Sequence, residues 1–237
     1  MRLTIVCHHG SPGTPREFDL VASALPGRTF LPVSRPGYPG YTSAPHVPER
    51  AVHLGYSWGC VVALRAAVRD AGRTAGVLLL APFVSASSVG LVARTILRVP
   101  VLGDRVLAKK LPGIVDELLE MSCRPDPVPD FYRDVVAPRL TTAAVKSAIL
   151  EKTVAGVSVS SALSILRGVG VPLGIVWGDR DTLAPPATHA EPLKREAAPV
   201  FERVIAGGGH ALQLTRPRQV AAAIDSFLAT LQPGDNP

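Results

Sequence analysis

The five residues Gly55-Tyr56-Ser57-Trp58-Gly59 constrain this chain more than any other stretch. They stand between a β-type run, Arg50-Ala51-Val52-His53-Leu54, and a helical pattern from Trp58 to Arg69. In a G-x-S-x-G pattern the serine occupies a strained turn from strand to helix, and the flanking glycines let the two elements approach closely. The pattern is short, and a chain with 21 glycines can meet it by chance. The strand before it and the helix after it supply the context that the motif requires. Ser57 is therefore the candidate nucleophile.

A serine hydroxyl is a weak nucleophile. It needs a base within hydrogen-bond reach, a third group to orient that base, and donors for the oxyanion. Six histidines are available. His53 lies inside a strand run and reads as a core residue, whereas His46 and His189 lie among prolines and read as exposed. His210, in the pair Gly209-His210, lies in a glycine-rich turn after a late strand run. Cys60 falls in the first helical turn after Ser57 with no base of its own, so packing accounts for it. Tyr56 and Trp58 either shape a pocket beside the nucleophile or fill the core.

The remaining pattern reads as alternating strands and helices. Leu3 to Cys7 is a short apolar run that ends in the cluster His9-Gly10-Ser11-Pro12-Gly13, a strand followed by a loop. Helical spacing covers Phe18 to Leu25. The next strand, Thr29 to Val33, contains Pro32, which cannot donate to a ladder and so belongs at a sheet edge. Gly76 to Ala81 is a continuous apolar run, as in parallel strands covered on both faces. From Phe83 to about Gly170 the spacing becomes helical, interrupted by Pro100, Pro112, the Pro125–Pro129 cluster and Pro138. Strand signals return at Leu173–Trp177 and Val200–Ile205, before a helix from Pro217 to Leu231. This order predicts an α/β chain with a mostly parallel sheet, as one domain over 1–237 carrying a helical insertion at about 83–170.

Composition narrows the partners. A chain of 237 residues, 47% hydrophobic, can bury one sizeable core. The formal charge is +6, but its arginines are scattered and only 5% of residues are aromatic, which argues against a nucleic-acid partner. Three cysteines without a C-x-x-C pair indicate neither a disulfide framework nor a zinc site. Reduced thiols, and so a cytoplasmic location, are the expectation. The first apolar run stops at Cys7-His8-His9-Gly10, and Val84 to Leu102 is broken by Arg94, Arg98 and Pro100. No membrane partner is expected.

With Ser57 in this setting, the chain resembles the α/β-hydrolase superfamily over most of its length apart from the helical insertion. The resemblance implies the order serine, acid, histidine. It places the acid in the turn Gly178-Asp179-Arg180-Asp181 at Asp181, leaving Asp179 to cap the turn, and the histidine at His210. The loop His9-Gly10-Ser11-Pro12-Gly13 is similar to the HG-x-PG segment of that superfamily. It implies a structural role for His9 and makes the backbone N–H groups of Ser11 and Trp58 the oxyanion donors, each worth about 3 kcal/mol in the transition state.

Two departures from the superfamily stand out. The two strands that usually come first are missing, which leaves Thr29–Val33 at the edge, as Pro32 requires, and puts the serine turn on the third of about six strands. The helix that usually follows the loop Arg35-Pro36-Gly37-Tyr38-Pro39-Gly40 is also missing, because Tyr41 to Pro48 holds too many prolines. One sheet face is then left for the insertion or for a second subunit of a homodimer to cover.

The activity implied by the resemblance is that of a serine hydrolase acting on a small ester, thioester or lactone through an acyl-enzyme on Ser57, without metal or cofactor. A lyase, an acyltransferase or a non-catalytic ligand-binding protein uses the same scaffold. Ser57-Trp58-Gly59 and the spacing from His9 to Gly13 are also similar to proline iminopeptidases, but no acidic residues for a substrate amine are identifiable. An insertion rich in Leu, Val and Ala favours an apolar acyl group. Arg94, Arg98, Lys109 and Lys110 suit either a substrate carboxylate or coenzyme A phosphate, or plain solvated helix faces.

Overall fold

The computed structural model describes residues 3–42, 50–84, 102–153 and 156–231. The expectations for His46, Arg94 and Arg98 lie outside these residues.

Among the described residues six strands form one parallel sheet. They are β1 (Thr4–His8), β2 (Thr29–Val33), β3 (Ala51–Tyr56), β4 (Thr74–Leu80), β5 (Leu173–Gly178) and β6 (Phe201–Ile205), in the order β2-β1-β3-β4-β5-β6. β2 pairs on one side only, with β1, so the edge position expected from Pro32 is observed. The sheet is parallel throughout. Its register decides where the site forms. His8 lies opposite Gly55, so the loop after β1 and the turn after β3 leave the sheet side by side. Gly178 lies opposite Ile205, so the loops after β5 and β6 are level in the same way.

Period-two alternation sends the apolar run of β4 to two cores. Leu78 and Leu80 join Ile5, Cys7, Leu54 and Val176 against Phe227 of the C-terminal helix. Val77 and Leu79 join Ile175 and Trp177 on the other face, under Leu64 and Leu163. The covering helices are α1 (Asp19–Ala24), α2 (Gly59–Arg69), α3 (Leu102–Cys123), α4 (Thr142–Leu150), α5 (Val159–Gly168), α6 (Ala190–Ala197), α7 (Leu212–Thr215) and α8 (Pro217–Thr230). α1 and α8 serve the first face, α2 and α5 the second. Ser158 caps α5 by accepting from the Ser161 amide at 3.1 Å, which fixes where that helix starts.

The segment between β4 and β5 is helical, as expected, but α3 runs through Pro112 instead of breaking there. Pro112 and Ala108, whose carbonyl loses its donor, are both exposed, so water can take the freed acceptor. The far end of α3 is firmly docked: Leu119 and Cys123 pack with Tyr132, Val136, Ala211 and Leu214.

No helix separates β2 from β3 among the described residues. A cavity of about 290 Å³ opens on that face, lined by Val6, His8, Val33, His53 and Arg69 among others. Residues 43–49 of this connection are outside the described residues. His8 and His53 lie 3.1 Å apart beneath it, and burial lowers both, His53 to about 4. Neutral imidazoles can share one proton between ring nitrogens, so His53 is the core residue that its strand position suggests. No helix among the described residues is long and apolar enough to cross a membrane.

Candidate active site

Ser57 sits at the turn from β3 to α2 with φ of 55°, the left-handed region that a side chain enters at a cost of about 1–3 kcal/mol. Both flanking glycines are sterically required. A Cβ at Gly55 would stand 2.5 Å from the Gly59 carbonyl oxygen, and one at Gly59 would stand 2.1 Å from the His8 carbonyl oxygen. The Ser57 amide donates to the Leu80 carbonyl at 3.0 Å, which ties the turn to β4.

The serine hydroxyl lies 2.9 Å from His210 Nε2, and His210 Nδ1 lies 2.7 Å from Asp181 Oδ2. With Nδ1 protonated, the ring donates to the carboxylate and accepts from the hydroxyl, a tautomer that the carboxylate favours. Asp181 is itself held: its Oδ1 accepts from the amides of Leu183 at 3.0 Å and Ala184 at 2.8 Å. All three side chains are buried. Asp179, the neighbouring acid, points elsewhere and accepts from the Gly207 amide at 2.7 Å, binding the β5 loop to the β6 loop. It bridges two loops rather than capping its own turn, the role that the sequence suggested.

The His210 loop is packed as tightly as the serine turn. A Cβ at Gly209 would stand 1.9 Å from the Arg124 carbonyl oxygen, and the Ala211 amide donates to the Ser122 carbonyl at 2.7 Å. The end of α3 therefore backs the loop that carries His210.

The loop from His9 to Gly13 is gripped from both sides. Glu17 is buried and accepts from the Gly10 amide at 3.1 Å and the Thr14 amide at 3.3 Å. Arg35 donates to the carbonyls of His9 at 2.7 Å and Gly10 at 2.9 Å. The same guanidinium pairs with Glu151 at 3.1 Å. Glu151 also accepts from the Tyr38 hydroxyl at 2.7 Å and from the Ser11 hydroxyl. His9 is buried with its edge toward Tyr38, ring centroids 4.7 Å apart, which fits the structural role expected of it. Among the described residues no acceptor is bonded to the backbone N–H of Ser11 or of Trp58. Both residues flank Ser57 in space or in sequence.

A cavity of about 610 Å³ opens on Ser57. Pro12, Phe83, Leu118, Met121 and Leu183 give it apolar walls; Ser11, Thr188, His189 and Lys152 are its polar members. His189 corrects the sequence reading, which had it exposed. It is buried, stacks on Phe83 at 4.7 Å, and accepts from the Val84 amide at 3.3 Å. Burial lowers its pKa, and its neighbours Asp181 and His210 act in opposite directions. Pro185 is exposed and marks a tight turn, and the chain comes out of that turn with His189 buried at the start of α6.

Lys109 and Lys110 are exposed on α3, the solvated-face reading. The cation that does enter the cavity, Lys152, carries no motif by which the sequence could have flagged it. Tyr56 is buried against His210, ring centroids 5.3 Å apart, so it belongs to the core behind the base. Cys60 is also buried, and burial pushes its thiol up, which leaves it inert as a nucleophile.

These features assemble at the carboxyl ends of parallel strands, where sheets of this kind bind ligands. The model of the alpha/beta hydrolase family matches residues 5–223. The chain belongs to that family. Similar solved structures include a thermophilic esterase from Thermogutta terrifontis, 19% identical with a TM-score of 0.72, over 98% of this chain and 91% of that one. A putative aryl esterase from Burkholderia cenocepacia is 14% identical with a TM-score of 0.76, over 97% and 91%. The haloalkane dehalogenase DatA from Agrobacterium tumefaciens C58 is 17% identical with a TM-score of 0.68, over 97% and 90%. At these identities the likeness speaks for the fold. No curated protein matches the sequence.

Proposed function

We propose that this family member is a serine hydrolase that cleaves a small carboxylic ester through an acyl-enzyme on Ser57. The observation that carries this reading is the unbroken hydrogen-bond chain from Ser57 Oγ through His210 to Asp181, buried beneath a cavity with apolar walls. Ser57 Oγ attacks the ester carbonyl as its proton passes to His210 Nε2. Asp181 stabilises the resulting imidazolium and keeps Nδ1 as the donor. The amides of Ser11 and Trp58, which have no acceptor among the described residues, take the developing oxyanion. The tetrahedral adduct collapses as His210 returns the proton to the leaving alcohol, and a water activated by the same base releases the acyl group. In this reading the helices between β4 and β5 form a lid, which supplies Leu118, Met121 and Lys152 to the cavity.

The test is intact-mass labelling with a fluorophosphonate followed by peptide mapping, together with turnover of a p-nitrophenyl ester. A single adduct on Ser57, and a loss in kcat of up to ~10⁶-fold in Ser57→Ala, are expected. An adduct elsewhere, or turnover that survives the substitution, sinks the assignment.

A further inference from the structure

We propose that Lys152 is the anion-recognition residue of the Ser57 cavity, and that the ester it accepts carries a carboxylate. This rests on the acyl-enzyme reading for the word "ester" alone; the recognition of an anion stands on Lys152 itself. Lys152 lines the cavity together with Ser57, with its ammonium 5.5 Å from the centre of the Phe83 ring and 5.9 Å from that of Trp58. Its remaining contact is a long hydrogen bond to the Ser11 carbonyl at 3.5 Å. An ammonium has three N–H donors, and here two ring faces and one distant carbonyl meet them.

The carboxylate nearest in sequence is committed elsewhere. Glu151 holds Arg35, Tyr38 and Ser11, and no ion pair joins it to Lys152. Asp181 is occupied by His210 and two amides. Among the described residues, then, no carboxylate forms an ion pair with this cation; Glu151, already paired with Arg35, acts on it only from a distance. A lysine with nothing to bind ordinarily extends its head into water. This one turns its head over two aromatic rings in a cavity, where desolvation lowers its pKa. The anchoring of Glu151 explains how the position is held, since the residue before Lys152 is fixed by three partners.

The class of anion follows from the walls. One ammonium among Pro12, Phe83, Leu118, Met121 and Leu183 suits a single negative charge on a short apolar chain. A phosphate dianion would need more donors than the described residues of the cavity offer. Because the ammonium bonds to the Ser11 carbonyl and lies over the Trp58 ring, beside the two residues assigned to the oxyanion, the carboxylate belongs a few bonds from the scissile carbonyl. A half-ester of a short dicarboxylic acid has that shape.

The experiment compares p-nitrophenyl butyrate with mono-p-nitrophenyl glutarate on the wild type, Lys152→Met and Lys152→Arg. Methionine keeps the apolar stem and removes the charge. The wild type is expected to favour the glutarate ester in kcat/KM by tenfold or more. Lys152→Met should lose roughly 10–100-fold on that ester and less than threefold on the butyrate, with most of the loss restored by arginine. Calorimetry on Ser57→Ala should detect glutarate binding, and the additional Lys152→Met change should abolish it. Equal losses on both esters, or no preference in the wild type, overturn the proposal while leaving Ser57 as nucleophile. If neither ester turns over and Ser57 is not labelled, yet glutarate binds in a Lys152-dependent way, the hydrolase reading fails and the recognition stands. Absence of both the preference and the binding overturns the proposal.

Discussion

Two acids two residues apart, Asp179 and Asp181, have different chemistry because of what each carboxylate accepts. Asp181 accepts from His210 and from two amides of its own turn, whereas Asp179 accepts from Gly207 across the loop gap. Asp181→Asn should leave the ring of His210 in the wrong tautomer and lower kcat on a p-nitrophenyl ester by about 10⁴-fold. Asp179→Asn keeps an acceptor oxygen and should stay within about threefold. Equal effects in the same steady-state assay would count against the assignment of Asp181. A second residue-scale expectation concerns Gly59. Its missing Cβ lets the turn pass the carbonyls of His8 and His9, so Gly59→Ala should cost more than about 3 kcal/mol in urea unfolding, or prevent folding. Residues of this kind were legible, because steric and hydrogen-bonding demands confine them to few residue types at fixed spacing. His189 and Lys152 were not. Each acts through where its turn lies in space, and the adjacent sequence looks the same for a buried side chain as for an exposed one.

At the scale of elements, the loop that carries Ser11 depends on a contact spanning more than a hundred residues of sequence. Arg35, after β2, holds the carbonyls of His9 and Gly10 and pairs with Glu151, which follows α4. Removing the guanidinium frees two carbonyls and leaves Glu151 without its counter-charge. Arg35→Met should therefore cost about 2–3 kcal/mol in urea unfolding, since hydrogen bonds to charged groups are worth about 1.5–3 kcal/mol. It should also lower kcat roughly tenfold or more, because the Ser11 amide loses its fixed position. A stability loss without a change in kcat would mean that the loop holds its geometry unaided. The loop Arg35-Pro36-Gly37-Tyr38 was recognisable in the sequence, but its partner was not: Glu151 sits in no motif, and only the packing of α4 brings it there. The course of α3 through Pro112 escaped for a related reason. A proline stops a helix where the freed carbonyl is buried, and exposure at Ala108 is a property of the folded molecule.

The molecule as a whole follows its hydrophobic periods closely. Strand and helix alternation specified the six-stranded parallel sheet, and a single residue, Pro32, located its edge. Among the described residues the β1–β2 face carries an opening lined by Val6, His8, Val33 and His53. The energetics of the whole fold carry one feature that patterning conceals, an acid, Glu17, buried beneath the loop after β1. Burial pushes the Glu17 carboxyl from its ordinary 4.5 up to about 7, against the opposing pull of the Gly10 and Thr14 amides and of Arg35. Below about pH 4.5 the group is protonated in both folded and unfolded chains and costs nothing. Between that point and about pH 7 the unfolded chain releases the proton and the folded chain retains it, so folding becomes less favourable as pH rises. The shift amounts to about 3 kcal/mol at 1.36 kcal/mol per unit. Glu17→Gln has no such titration. The stability of the wild type relative to this variant should accordingly fall by up to about 3 kcal/mol between pH 4.5 and 7.5 in a series of urea unfolding curves. A difference that stays flat across the series would mean that the two amides and Arg35 offset burial and leave the Glu17 carboxyl at its ordinary value.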